Sequence, residues 1–413
     1  MNRNLNQLAC LLFSVGLTAC GGGSDSASDP TSPTGSISPE KSDFISCTGY
    51  LHVICAKEQV LYSFGSGLDA ANPMGPLVLG NDGNFYGVTF NGGSANLGTV
   101  IRINPVTKIE TLLYSFTGGA DGANPLGGLV LGKDGNFYGT TYSGGAYVGT
   151  VFKISPTGIE TVIHSFGNSN DGANPQSQLV ADSNGNLYGT TAFGGSFGNG
   201  SVFKISTTGV EEVIYSFVGG DTDGSWPFSG LLIGSDGNLY GTTSEGGPEN
   251  SGTVFKVTPG GVETVFHFFG SSTTDGAFPE TGLTVGADGN YYGTTISGGA
   301  ASMGTVFQIN SATGAMNTIY SFASDSTGYN PITTLTLGNN GMLYGTAAGP
   351  SSGVLYQIST SGVETVLHTF AGGTIDGSNP YGQVIFGSNG ILYGTTRLGG
   401  LNNQGTFYSY TFD

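Results

Sequence analysis

Trp226 and Phe278 stand in successive copies of a loop that carries Asn at the same place elsewhere, and Glu245, Glu249 and Glu280 fall in the same stretch of chain. Aromatic rings beside carboxylates are the equipment of sugar binding: the ring stacks on a pyranose face and the carboxylate accepts its hydroxyls. These residues are therefore the candidate ligand-binding set. Two of the glutamates at the right separation would instead make the acid and base of a glycoside hydrolase or lyase. Sequence does not fix that separation, so a non-catalytic module is the leading reading and a carbohydrate-active enzyme the alternative. Asp221 and Asp223 share one loop and are the best calcium candidates. They lack the downstream bidentate Glu of a calcium loop, and no cofactor is expected. His164, His267 and His368 occupy a slot filled by Tyr62, Tyr114, Tyr215 and Tyr320 in other copies of a repeat, and His52 lies outside the repeats. Histidines at one position of separate repeats do not converge on a Ser or Cys, which argues against a triad hydrolase. Loops such as Gly144-Gly145-Ala146-Tyr147-Val148-Gly149 lack the Lys and following helix of a phosphate cradle.

These residues sit on a repeated scaffold. Asp134-Gly135-Asn136-Phe137-Tyr138-Gly139-Thr140-Thr141, a Gly-Gly pair, Gly149-Thr150-Val151-Phe152 and Glu160-Thr161-Val162-Ile163-His164-Ser165-Phe166 recur seven times, the turn glycine falling at 83, 135, 185, 237, 289, 341 and 390. Each copy predicts four short strands: an apolar run, an Asp-Gly-Asn hairpin turn, a Tyr-Gly-Thr-Thr strand, a Gly-Thr-Val-Phe strand and a final strand. Four strands in roughly 50 residues is the period of a β-propeller blade. The first copy supplies only a fourth strand, Gln59–Phe64, and the last stops after its third, Gly405–Tyr410. Their complementarity predicts a ring of seven antiparallel four-stranded blades over residues 59–413, closed by the N-terminal strand. Loops joining the blades carry Asp-Gly-x-Asn-Pro, as at Asp121–Pro125, Asp171–Pro175 and Asp376–Pro380, with a variant at Asp69–Pro73. Their first reading is as turns. Blade-linking loops and second-to-third-strand loops open on one face of a propeller, so Trp226, Phe278 and the three glutamates are expected on one side.

The pattern of Gly-Gly, a short loop and Gly-Thr-Val-Phe after Tyr-Gly-Thr-Thr resembles the GloVer tandem repeat of bacterial surface proteins. The likeness covers all seven copies, and it implies exposure at a cell surface while assigning no catalytic residues. Gly353-Val354-Leu355-Tyr356 and Gly405-Thr406-Phe407-Tyr408 depart from the pattern but keep its apolar character.

Composition agrees. With 75 Gly among 413 residues, a helix-rich enzyme is disfavoured, while 25 Phe and 20 Tyr exclude a disordered glycine tract. The net charge of −18 excludes nucleic acid and anionic membrane surfaces as partners.

At the N-terminus, Arg3 precedes an apolar run, Leu8–Leu17, of signal-peptide length, ending in Leu17-Thr18-Ala19-Cys20. This resembles a bacterial lipobox and implies that residues 1–19 are removed and that Cys20 is lipidated. Gly21 after it resembles lipoproteins sorted to an outer membrane. The expectation is a monomer in the bacterial cell envelope, held to the membrane only through its lipid, with an envelope polysaccharide or protein as partner. Residues 20–43, rich in Ser, Gly, Pro and Thr, read as a tether. Within the segment 44–58, Cys47 and Cys55 are separated by seven residues and are expected to form a disulfide in an oxidising compartment.

Overall fold

A computed structural model describes residues 57–412, except 66–67, 147, 168–169, 324–325 and 350. The lipobox, the tether and Cys47/Cys55 lie outside the described residues. Each Tyr-Gly-Thr-Thr and Gly-Thr-Val-Phe segment is a five- or six-residue strand, because β-branched and aromatic residues alternate there across a sheet with both faces covered. They pair without a break, as Phe137–Thr141 does against Thr150–Ile154. A bulge opens at the same point between the third and fourth strands, Val151/Phe152 and its equivalents, in all seven sheets. A bulge increases right-handed twist, which a propeller blade requires.

The result is a seven-bladed all-β propeller with no α-helix among the described residues. Blades I to VI run 78–115, 129–165, 180–216, 232–268, 284–321 and 336–369. Blade VII combines Ile385–Phe386, Leu392–Thr396 and Thr406–Tyr410 with Glu58–Ser63, which pairs antiparallel to Thr406–Tyr410. Seven apolar clusters, one per seam between adjacent blades, make up the core. The closing seam is packed like the rest, with Phe64, Phe85, Tyr393 and Phe407 buried together. Each such aromatic contributes about 2–3 kcal/mol on burial, so the ring is held by its seams.

Repeated polar devices fix the blades internally. Thr141 and Thr150 share a buried hydroxyl–hydroxyl bond of 2.8 Å across the second and third strands, as do Thr243/Thr253 and Thr295/Thr305. In blade VI the two partners are Ala347 and Val354, which face each other in register. Both polar members change together there, leaving no orphaned hydroxyl; replacing both members of such a pair is nearly neutral, whereas removing one costs about 1–3 kcal/mol.

The linking loops do more than turn. Asn72, Asn124, Asn174, Asn330 and Asn379 all adopt left-handed backbone, with φ between 46 and 55°. In four of them the side-chain amide donates to a carbonyl of the preceding blade: Asn72 to Arg397, Asn124 to Phe90, Asn174 to Tyr142 and Asn330 to Ile296. The Pro that follows packs on the Gly opening the third strand of the previous blade. A Cβ added at Gly252 (φ 95°) would lie 2.3 Å from the Thr243 carbonyl oxygen and 2.7 Å from Pro279 Cδ. Asn, Pro and Gly thus form a clasp between neighbouring blades.

A second set of polar groups lines the outside of each seam. The Tyr or His of the fourth strand meets the Asp of the next linking loop, as in Tyr62–Asp69 at 2.8 Å, Tyr215–Asp223 at 2.9 Å, His164–Asp171 and His267–Asp275 at 3.0 Å, except after blade V, where Tyr320 meets Thr327 at 3.2 Å. The Glu that begins the next blade's fourth strand faces the same Asp. Burial, then the neighbouring Asp69, pushes Glu110 up to about 8. Burial, then Asp121 and Asp223 respectively, push Glu160 and Glu263 to about 7. The histidines do not converge on one another, as expected; each instead joins the carboxylates of its own seam. In the seam between blades IV and V, Met316 takes the place of this Glu, and a cavity of about 340 Å³ opens beside His267 and Asp275.

Candidate functional site at the channel mouth

Every linking loop delivers the residue after its Pro to the mouth of the central channel. The seven are Met74, Leu126, Gln176, Phe228, Glu280, Ile332 and Tyr381, all partly exposed. They line a cavity of about 420 Å³, in which Glu280 is the only carboxylate. These residues differ in all seven copies of an otherwise strict repeat. Below them lie small residues whose hydroxyls are consumed by the scaffold, as Ser229 is by Thr242 at 2.9 Å and Thr281 by Thr294 at 2.8 Å.

The linking loops and the second-to-third-strand loops do share a face. Gly224–Ser225 pairs with Glu245–Gly246, and Gly276–Ala277 with Ser297–Gly298. Trp226 and Phe278 take the clasp position, with φ of 59 and 56°. A bulky residue in this region is strained, and neither can make the side-chain bond that Asn makes. Their backbones still do what the others do: Trp226 N–H donates to Asn199 O at 2.9 Å, and Phe278 N–H to Ser251 O at 2.8 Å. The Trp226 ring packs edge-on to Phe193 with centroids 5.8 Å apart and lies offset-parallel to Phe228 at 6.2 Å. Phe193, Trp226 and Phe228 are all partly exposed, so the cluster forms an aromatic wall beside the mouth.

Glu280 connects to this wall through Ser244. Ser244 N–H donates to Trp226 O at 3.0 Å, and its hydroxyl reaches Glu280 Oε1 at 3.5 Å. Burial pushes the Glu280 carboxyl up to about 7, with the Ser244 hydroxyl acting the other way. It is therefore divided between acid and carboxylate near neutrality and can donate to or accept from a ligand hydroxyl. Across the mouth, the Arg397 guanidinium stands over the Tyr381 ring at 5.7 Å.

The other expected residues fall elsewhere. Glu245 is paired in register with Ser225 and takes a long contact, 3.4 Å, from Asn250. Glu249 is exposed, and its Cβ lies at the outer edge beside Gly270. Of the five candidates, Trp226 and Glu280 are joined through Ser244, Phe278 flanks them two residues upstream of Glu280, Glu245 lies next to Ser244 but is engaged with Asn250, and Glu249 stands apart. Asp221 is exposed on a short 3-10 turn, Gly220–Thr222. Asp223 accepts from Tyr215 OH, Val218 N–H and Gly224 N–H at 2.9, 2.7 and 2.6 Å. Its carboxylate is thus engaged in the seam. Phe193, Phe228, Ser244 and Tyr381 escape a reading of the motif because they occupy variable positions. The sevenfold variability of the residue after Pro is the signal that marks Phe228 and Tyr381.

The fold is shared with solved propellers of low sequence identity. The extracellular domain of a candidate hybrid two-component system from B. thetaiotaomicron superimposes with a TM-score of 0.57 and 11% identity, over 84% of this chain and 39% of that one. A candidate 6-phosphogluconolactonase from Bacteroides fragilis gives 0.51 and 20%, over 76% of this chain and 88% of that one. At such identity the likeness is one of architecture. No curated protein matches the sequence. The model of the Gloeobacter/Verrucomicrobia repeat matches residues 48–232 and 220–408, spanning the repeated blades, and the chain belongs to that family.

Proposed function

We propose that the protein is a non-catalytic binding module that takes a glycan at the mouth of its channel, between blades III and V. The observation that carries this reading is the pair Trp226 and Phe278, held in left-handed backbone where Asn forms a clasp in the other linking loops. Strained aromatics in place of a structural bond point to a use outside the fold. Phe193, Trp226 and Phe228 supply rings for stacking, and Glu280, held by the buried Ser244, supplies a partner for hydroxyls. In this proposal Cys20 carries the lipid anchor and displays the propeller at the cell envelope, where polysaccharide is at hand. The scaffold asks for no cofactor in this role.

One observation favours the second reading, a carbohydrate-active enzyme. Glu280 sits near neutrality, as a general acid or base must. Against it, hydrolysis of a glycoside requires two carboxyl groups flanking the bond, and Glu280 alone lines the cavity. A glycan-array screen followed by calorimetry on the hits tests the proposal. Binding that is lost in Trp226→Ala, with the glycan recovered intact, is the expected result. Product formation that disappears in Glu280→Gln would replace the module by the enzyme, and binding unaffected by Trp226→Ala would remove the site from the channel mouth.

A further inference from the structure

The seam between blades VI and VII, to which the N-terminal strand contributes, differs from those after blades II and IV in the spacing of its His and Asp. In the seams after blades II and IV, the His and Asp are hydrogen-bonded at 3.0 Å. In the seam between blades VI and VII, His368 Nε2 lies 3.4 Å from Asp376 Oδ2 and 3.9 Å from Glu58 Oε2. His368 Nε2, alone of the three seam histidines, makes no hydrogen bond among the described residues although it is buried; Glu58 Oε1 is likewise buried and unbonded, as is Oε1 of the corresponding Glu in the other seams that have one. The Glu58 side chain is only 10% exposed. One ligand atom from each of the three residues lies within 4.8 Å of the others, as also holds for His164, Asp171 and Glu211 in the seam after blade II, where His164 is already hydrogen-bonded to Asp171. The three groups converge from separate segments at ion-pair distances, without the short hydrogen bond of the other two His–Asp pairs, and have the spacing of ligands around a metal ion. Bonds of about 2.0–2.2 Å from zinc to imidazole nitrogen and carboxylate oxygen put neighbouring ligand atoms roughly 3.3–3.6 Å apart in a tetrahedron.

We propose that Glu58, His368 and Asp376 bind a divalent transition-metal ion of the zinc type. Imidazole selects for such a metal over calcium or magnesium, and the two carboxylates neutralise its charge. The orientation of Asp376 is fixed in advance, because Ala371 N–H donates to Oδ2 and Gly377 N–H to Oδ1, each at 2.6 Å. Outer hydrogen bonds of this kind hold a ligating carboxylate in place. His368 keeps 23% of its side chain exposed, which gives the ion a path in and leaves a position for water. Glu58 belongs to the N-terminal strand, His368 to the fourth strand of blade VI and Asp376 to the loop between blades VI and VII. The metal would therefore tie the N-terminal strand of blade VII to blade VI and the loop that follows it. A cross-link spanning so long a loop removes much of the entropy gained on opening.

The test uses the full chain stripped with a chelator and titrated with zinc, by calorimetry and by thermal melting. The substitution His368→Tyr removes the imidazole and installs the residue found at this position in four other blades, so the fold tolerates it; far-ultraviolet circular dichroism checks this. Expected is one zinc equivalent bound by the wild type that His368→Tyr loses, and that Glu58→Gln weakens at least tenfold. The zinc-dependent rise in melting temperature should disappear in both, while His164→Tyr retains it. Absence of that equivalent in the wild type, its survival in His368→Tyr, or its loss in His164→Tyr overturns the proposal.

Discussion

Replacing Phe278 by Asn should stabilise the protein while removing part of its binding surface. Phe278 sits at φ 56° in the position where Asn330, one blade further on, donates to Ile296 O. The equivalent acceptor for residue 278 is the Ser244 carbonyl. Relief of a bulky residue from the left-handed region is worth about 1 kcal/mol. A new side-chain hydrogen bond adds about 1 kcal/mol net. Against these stands the loss of a partly buried ring, about 1 kcal/mol. The balance is a gain near 1 kcal/mol, read as a higher urea midpoint with an unchanged slope. Trp226→Asn offers the control. The Trp226 ring packs on Phe193 and Phe228, so about 1 kcal/mol of aromatic contact is lost as well, and its stability should change little. Both variants should bind the glycan less well. A Phe278→Asn variant destabilised by more than about 1 kcal/mol would mean that the ring is a structural plug. That result would refute the inference from backbone strain to function.

Other expectations follow from the seams, the clasps and the closing strand. Stability should fall as pH rises from about 5 to 8: Glu110, Glu160 and Glu263 have folded-state values raised from 4.5 to about 8, 7 and 7, so the folded chain binds more protons over that window. Their partners there are Asp69 and Tyr62, Asp121 and Tyr114, and Asp223 and Tyr215. Solvent screening of these half-exposed groups reduces each contribution to about 1 kcal/mol. Urea midpoints across this range, in the wild type and in the triple Glu→Gln variant, check it; stability that is flat or rising with pH would contradict it. Gly252→Ala should cost 3 kcal/mol or more (order of magnitude), since its Cβ meets the Thr243 carbonyl at 2.3 Å in a left-handed conformation; an ordinary melt would contradict this. Replacing both Gln59 and Val60 by Pro removes whichever N–H faces Thr406–Tyr410 and should break that pairing and open the ring, detected as protease sensitivity at blade VII.

The number of blades, their four strands and the closing of the ring were legible in the sequence because each rests on local pattern repeated seven times. Turn residues, β-branched runs and the complementary phase of the two ends state them without reference to distant contacts. The placement of Trp226, Phe278 and Glu280 on one face followed from that topology. Phe228 and Phe193 were not legible, since their meeting depends on two loops from successive blades. Nor was the loss of Glu249 from the group, which depends on how far along its loop the chain has turned outward.

What the sequence by itself determined is the scaffold: periodic residues dictate periodic strands, and a repeat with matching ends has one way to leave no open edge. Tertiary structure alone decided the chemistry. The Asn of the linking loop became a left-handed clasp only when the next blade supplied a carbonyl, and Trp226 and Phe278 became conspicuous only against that clasp. Likewise Glu58 and His368, more than three hundred residues apart, met only when the ring closed. Distances, burial and proton affinities are properties of that packing, because the dielectric and the partners each group meets come from segments remote in the chain.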